Sequence, residues 1–158
     1  MPGESALNEE LLRTLARHLG SQEYISRVTP FPSQKPDRVV AFFREDYYPN
    51  PVSEARVELR ILLSDDRTLQ YIERWNGEQW ECRWDRHENP HNARDHFHPP
   101  PDAGTDGCVD ANYPDDPYEL IGLVVQFVQD RIGDVWATQT YPSDYEWDGE
   151  YSTAFLDT

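Results

Sequence analysis

Lysine is nearly absent from this 158-residue chain: Lys35 is the single example among 14 basic residues, which face 30 acidic ones. The resulting formal charge of −16 excludes most of the surface as a landing site for a phosphate backbone, which like charge repels at long range. Cysteine is scarce too, with Cys82 and Cys108 far apart and no CxxC pair, so neither a disulfide framework nor a zinc ribbon is signalled. Reduced thiols point to a cytoplasmic location. No apolar run approaches the roughly 18 residues of a membrane-spanning helix, and the polar start Met1-Pro-Gly-Glu-Ser5 lacks the apolar core of a signal peptide. The chain also has no Gly-rich phosphate loop, no nucleophile elbow, no internal repeat and no low-complexity linker.

What is present is an abundance of carboxylates and aromatic rings. Acidity with so little lysine resembles the composition of halophilic archaeal proteins, where at molar salt the Debye length is about 3 Å and surface repulsion costs little. The rival explanations are a basic partner or mimicry of a nucleic acid. With 37% hydrophobic and 13% aromatic residues, among them five Trp and nine Tyr, there is material for an ordinary core. One domain over residues 1–140 is expected, followed by an acidic, aromatic C-terminal arm or tail at 141–158.

The pattern along the chain predicts an α+β fold. Leu11, Leu12, Leu15 and Leu19 form a helical stripe over residues 8–20, with Ser5 or Asn8 as N-cap and Gly20 as stop. The narrow stripe suggests a peripheral helix. Short strands are expected at 23–28 and 38–44. Ala55, Val57, Leu59, Ile61 and Leu63 alternate with Arg56, Glu58 and Arg60, the mark of a strand with one buried face. A turn at 64–67 leads into a strand at 68–75, and Asn76-Gly77 supplies the type I′ dipeptide before a strand at 79–84. Trp80, Cys82 and Trp84 then share a face and read as core. Residues 120–132 are apolar on most sides and follow Asp116-Pro117-Tyr118-Glu119, an N-cap, a Pro at N1 and a capping acid. The expectation is an antiparallel meander of four to five strands with this C-terminal core helix across one face.

Residues 85–116 form the longest stretch without periodicity, and chemistry concentrates at its start. Four of the five histidines, His87, His91, His96 and His98, fall within twelve positions. Imidazole exchanges protons or binds metal near neutrality, so this density marks a candidate site. Residues 83–98 are also electrically neutral, because Arg83, Arg86 and Arg94 offset Asp85, Glu88 and Asp95. An anionic ligand is tolerated best here.

Three chemistries fit. Cleavage of RNA through its 2′-hydroxyl needs a base, an acid and a cation, which two histidines and an arginine supply without metal. His96 and His98, if extended, point to one side and Phe97 to the other, with Arg94 available as the cation. Alternatively His87, His91, His96 and His98, with Asp85, offer ligands for Zn²⁺ or another divalent ion, although Pro90 breaks the helical spacing of His87 and His91. That would make the chain a divalent-metal-dependent hydrolase. Finally, the imidazoles could be hydrogen-bonding residues of a non-catalytic binding or interaction protein.

On these same residues, the segment from Thr68 to about Ile132 resembles the TumE family of toxin-antitoxin systems. The resemblance rests on the hairpin from Tyr71 through Gly77 to Trp80, the strand end Arg83-Trp84-Asp85, the loop Asn89-Pro90-His91, the cluster His96-Phe97-His98 and the final helix. It implies a small cytoplasmic toxin acting on RNA, a ribonuclease partnered by a helix-turn-helix antitoxin. By position it implies Arg83, Asp85, His91, His96 and His98 as site residues; with Arg94 added as the cation of the loop, His91, His96 and His98 are the catalytic candidates and Arg83, Asp85 and Arg94 the substrate-binding ones. No cofactor and no membrane partner are expected. His87 is the imidazole set aside, and the N-terminal helix stands outside the resemblance as an extension.

Overall fold

The computed structural model describes residues 6–88, 94–149 and 151. Seven strands form one sheet in the order of the chain, every neighbouring pair antiparallel. They are β1 (Ile25–Pro30), β2 (Val39–Phe43), β3 (Val52–Ile61), β4 (Arg67–Trp75), β5 (Glu78–Arg86), β6 (Asp95–His98) and β7 (Val109–Asp110). The meander is as expected, but the strand count exceeds four to five. The added strands β6 and β7 lie inside the stretch that carried no periodicity, because runs of four and two residues are too short to show one.

The helices start where their caps dictate. In α1 (Glu9–Gly20) the Asn8 side chain accepts from the Leu11 amide at 3.2 Å. In α2 (Pro117–Thr138) the Asp116 carboxylate accepts from the Tyr118 amide at 2.9 Å, with Pro117 in the first turn. Between β4 and β5, Asn76 and Gly77 both have positive φ, at 30° and 92°, as a type I′ hairpin requires.

Both helices lie on the same face of the sheet. Leu19 of α1 and Ile121, Val124 and Val125 of α2 surround one apolar space with Val57, Leu59 and Leu69. Leu12 and Leu15 are fully buried, so α1 is part of the core and not a peripheral addition. Each such leucine contributes about 1.5–3 kcal/mol by leaving water. Trp75, Trp80 and Trp84 belong to this face, and Phe127 meets Trp84 edge-on at 5.2 Å. Tyr145 and Tyr151 pack on Trp80, and Trp147 on Phe97 and Phe127, so residues after α2 continue the aromatic layer.

An ion pair is sealed inside this layer. Arg131 of α2 donates from Nε and Nη2 to the Glu73 carboxylate of β4, both side chains being essentially inaccessible. Glu73 also accepts from Tyr71 and Trp75, while the Arg131 guanidinium sits 3.8 Å over Trp80 and donates to the Tyr151 hydroxyl. Removing one partner strands the other charge, so Glu73→Ala should cost about 3–5 kcal/mol, whereas the double change Glu73→Leu with Arg131→Met should recover most of that. Denaturant unfolding of the three chains measures this; a double variant no more stable than Glu73→Ala would contradict it.

Candidate functional site

With the core on one face, period-two alternation sends every second strand residue to the opposite face, which no helix among the described residues covers. On β5 these are Glu81, Arg83 and Asp85, and the chain continues to His87. On β6 they are His96 and His98, since Phe97 is buried among Trp84, Phe127 and Trp147. Register then makes the site: Arg83 pairs with His98 and Asp85 with His96 across the antiparallel ladder, so one carboxylate meets two imidazoles. Beyond the ladder the His87 amide donates to the Arg94 carbonyl at 2.9 Å and holds a third imidazole on the same face.

These rings converge on one atom. Asp85 Oδ2 lies 3.1 Å from His98 Nε2, 3.5 Å from His87 Nε2 and 3.6 Å from His96 Nε2. Arg83 Nε donates to both oxygens of the same carboxylate, at 3.1 and 2.9 Å. Burial opposes the Asp85 charge, but the His98 hydrogen bond and the Arg83 guanidinium outweigh it and hold the carboxyl below its usual range. Asp85, His96 and His98 are buried, whereas 42% of the His87 side chain is exposed.

The site's edges are fixed by polar groups. Arg86 holds Asp95 by two hydrogen bonds, at 2.8 and 3.2 Å, and reaches Asp65 at 3.0 Å. The Tyr113 hydroxyl donates to the His96 carbonyl, and the Gly104 carbonyl faces His98 Nδ1 at 3.1 Å. Cys108 Sγ stands 3.9 Å from His98 Nε2.

From this cluster an open groove of about 430 Å³ runs across β5, β4 and β3, lined by Arg38, Glu58, Arg60, Arg83, Asp85 and His87. A second groove of about 380 Å³ continues over β2 and β1 and shares Glu58, with Arg27, Lys35, Arg56 and Arg74 at its sides. Half of the chain's 14 basic residues line these two hollows. Glu58 organises them, accepting from Lys35 at 2.6 Å, Arg56 at 2.8 Å and Arg38 at 3.0 Å.

Of the residues singled out in the sequence, Arg83, Asp85, His96 and His98 come together, and His87, which had been set aside, joins them as the imidazole that faces the groove. Arg94 does not join: its guanidinium binds Asp66 at 2.8 Å and lines a separate hollow with Asp65, Arg86 and Asp95. His91 lies outside the described residues. Sequence reasoning missed Arg38, Arg60 and Glu58 as groove residues. The signal was available in β3, where Arg56, Glu58 and Arg60 alternate against the core stripe.

Among the described residues no helix is long and apolar enough to cross a membrane. Two sets of side chains bring ligand atoms within 4.8 Å of one another: Asp85, His87 and His96, and His96, His98 and Cys108. A family model described as Toxin TumE matches residues 9–132, so α1 and the first strands fall inside the family's extent and are not an added extension. No curated protein and no solved structure matches.

The groove makes a pH prediction through Glu58. Although burial opposes its charge, hydrogen bonds from Lys35, Arg56 and Arg38 lower its pKa on folding. Its stabilising contribution is therefore complete above the unfolded value, about 4.3, and is lost as pH falls through the lower folded value. Glu58→Gln should flatten the loss of stability between about pH 5 and 2. Thermal unfolding across that range checks this, and an unchanged pH slope would contradict it.

Proposed function

The chain belongs to the TumE toxin family, and from that premise we propose that it acts on RNA in the groove that ends at the Asp85 cluster. The observation that carries this reading is the position of that cluster. A carboxylate and an exposed imidazole close one end of a hollow whose walls carry Arg38, Arg60 and Arg83. Phosphodiester chemistry requires this combination: guanidinium groups to hold the phosphate and take up developing charge, and a reactive group within reach of the attacked oxygen.

Roles follow from accessibility. Arg60 and Arg83, 42% and 31% exposed at the side chain, can meet a phosphate from solvent. His87 is the imidazole within reach of substrate, and Asp85, 3.5 Å from His87 and 3.1 Å from His98, orients and stabilises charge there. His96 and His98, first considered as the proton-transfer pair, act from behind the carboxylate in this reading because both are buried. His91 keeps its proposed part as a further imidazole from the connection between β5 and β6.

The same reading supplies a partner and a setting. A toxin needs an antitoxin, and a helix-turn-helix protein encoded alongside is the partner proposed for this chain. The carboxylate-rich surface suits a cytoplasm of molar salt, where short-range contacts in a groove retain strength that long-range attraction loses.

Induced expression of the intact chain in a host cell should arrest growth and shorten cellular RNA. His87→Ala should slow cleavage of a synthetic RNA by roughly a hundredfold or more, and Arg83→Ala and Arg60→Ala by about tenfold each. Growth arrest and cleavage at full strength in all three variants would overturn the assignment.

A further inference from the structure

The convergence of imidazole nitrogens on Asp85 has a feature that hydrogen bonding does not explain. N–H···O bonds span about 2.7–3.2 Å. The His98 contact falls in that range, but His87 and His96 stand at 3.5 and 3.6 Å and still aim Nε2 at the same oxygen. That oxygen already accepts from Arg83 Nε at 2.9 Å.

Tautomers sharpen the point. His87 Nδ1 lies 3.0 Å from the Glu88 carbonyl and His98 Nδ1 lies 3.1 Å from the Gly104 carbonyl. A carbonyl oxygen only accepts, so both Nδ1 atoms carry their hydrogens. In the neutral His87 ring Nε2 then presents a lone pair to a carboxylate oxygen, which also has only lone pairs to offer. Protonating the rings would instead crowd like charges around one acid in a largely dry site. A divalent cation removes the conflict, and an Nδ1–H held by a backbone carbonyl is how metal-binding histidines are usually oriented.

The distances agree. With metal–nitrogen and metal–oxygen bonds of about 2.0–2.2 Å, neighbouring ligands of a tetrahedral ion stand about 3.3 Å apart. The 3.5 and 3.6 Å separations of Asp85 Oδ2 from His87 and His96 differ from that by a few tenths of an ångström. We propose that Asp85, His87 and His96 form a binding site for one divalent transition-metal ion of the zinc class, open toward the groove through His87. His98 and Arg83 support it by hydrogen bonding to Asp85, and the Glu88 carbonyl supports it by fixing the His87 ring. Two His ligands and one carboxylate leave a coordination position for water or a phosphate oxygen.

The proposal deepens the RNA reading by giving the groove's reactive end its electrophile, yet binding of the ion does not depend on RNA being the substrate. The test uses the full chain without a histidine tag. Cobalt(II) titration should show one site per chain with tetrahedral visible absorption, displaced by zinc. His87→Ala, whose side chain is half-exposed and whose loss leaves the core intact, should weaken binding at least tenfold, as should Asp85→Asn. Cys108→Ser should bind unchanged, with no thiolate-to-cobalt band in the parent chain. Stoichiometry well below one, equal affinity in His87→Ala, or loss of binding in Cys108→Ser would each overturn the assignment. RNA assays on the same samples separate the two readings: an ion bound with no RNA cleavage supports the site and sinks the RNA reading, whereas full cleavage by a chain that binds no ion does the reverse.

Discussion

Both helices and the aromatic C-terminal residues cover the same face of a seven-stranded meander, and this one-sidedness governs where chemistry is allowed. Alternation forces every strand to divide its residues, so burying Trp80, Cys82 and Trp84 beneath α2 necessarily sends Glu81, Arg83 and Asp85 to the other side. Repeated over β1 to β6, the same division gathers Arg27, Arg38, Arg56, Arg60, Arg74 and Arg83 on one surface of a chain with a net charge of −16. The neutral stretch visible at residues 83–98 is thus one end of a larger surface on which opposite charges are matched.

Within that surface, register decides which side chains meet. A slip of one residue between β5 and β6 would turn both histidines into the core and Phe97 out of it. Phe97, fully buried against Trp84 and Phe127, therefore holds the site as firmly as the polar contacts do. Arg86 reinforces this by clamping Asp95, the first residue of β6. Two charged clusters of opposite purpose coexist: Glu73 and Arg131 are sealed in the core with every partner supplied internally, whereas Asp85 is buried yet adjoins a hollow open to solvent.

Local signals were legible, and contacts between distant segments were not. The caps Asn8 and Asp116-Pro117, the Asn76-Gly77 turn, the alternation in β3 and the core placement of the tryptophans could all be read because each is written within a few adjacent residues. The strand β6 escaped notice because four residues ending at prolines carry too little periodicity, although His96 and His98 on one side and Phe97 on the other is the arrangement an extended segment gives. The part of His87 was hidden because it depends on a bond to Arg94 across the β5–β6 connection. Glu58 looked like an ordinary outward-facing acid, and two of its three cationic partners, Lys35 and Arg38, lie in the connection between β1 and β2. The Glu73–Arg131 pair, 58 residues apart, leaves no local trace.

The central claim is that the sheet face opposite the helices, and not the helical one, receives RNA at the Asp85 end. Nuclear magnetic resonance of the isotope-labelled chain with a short RNA, made uncleavable by 2′-deoxy substitution, tests it most directly. The account predicts shifts at Arg38, Arg60, Arg83 and His87 that fade when Arg83 is replaced by alanine. Shifts confined to α1 and α2, or none at RNA concentrations that saturate cleavage, would contradict it.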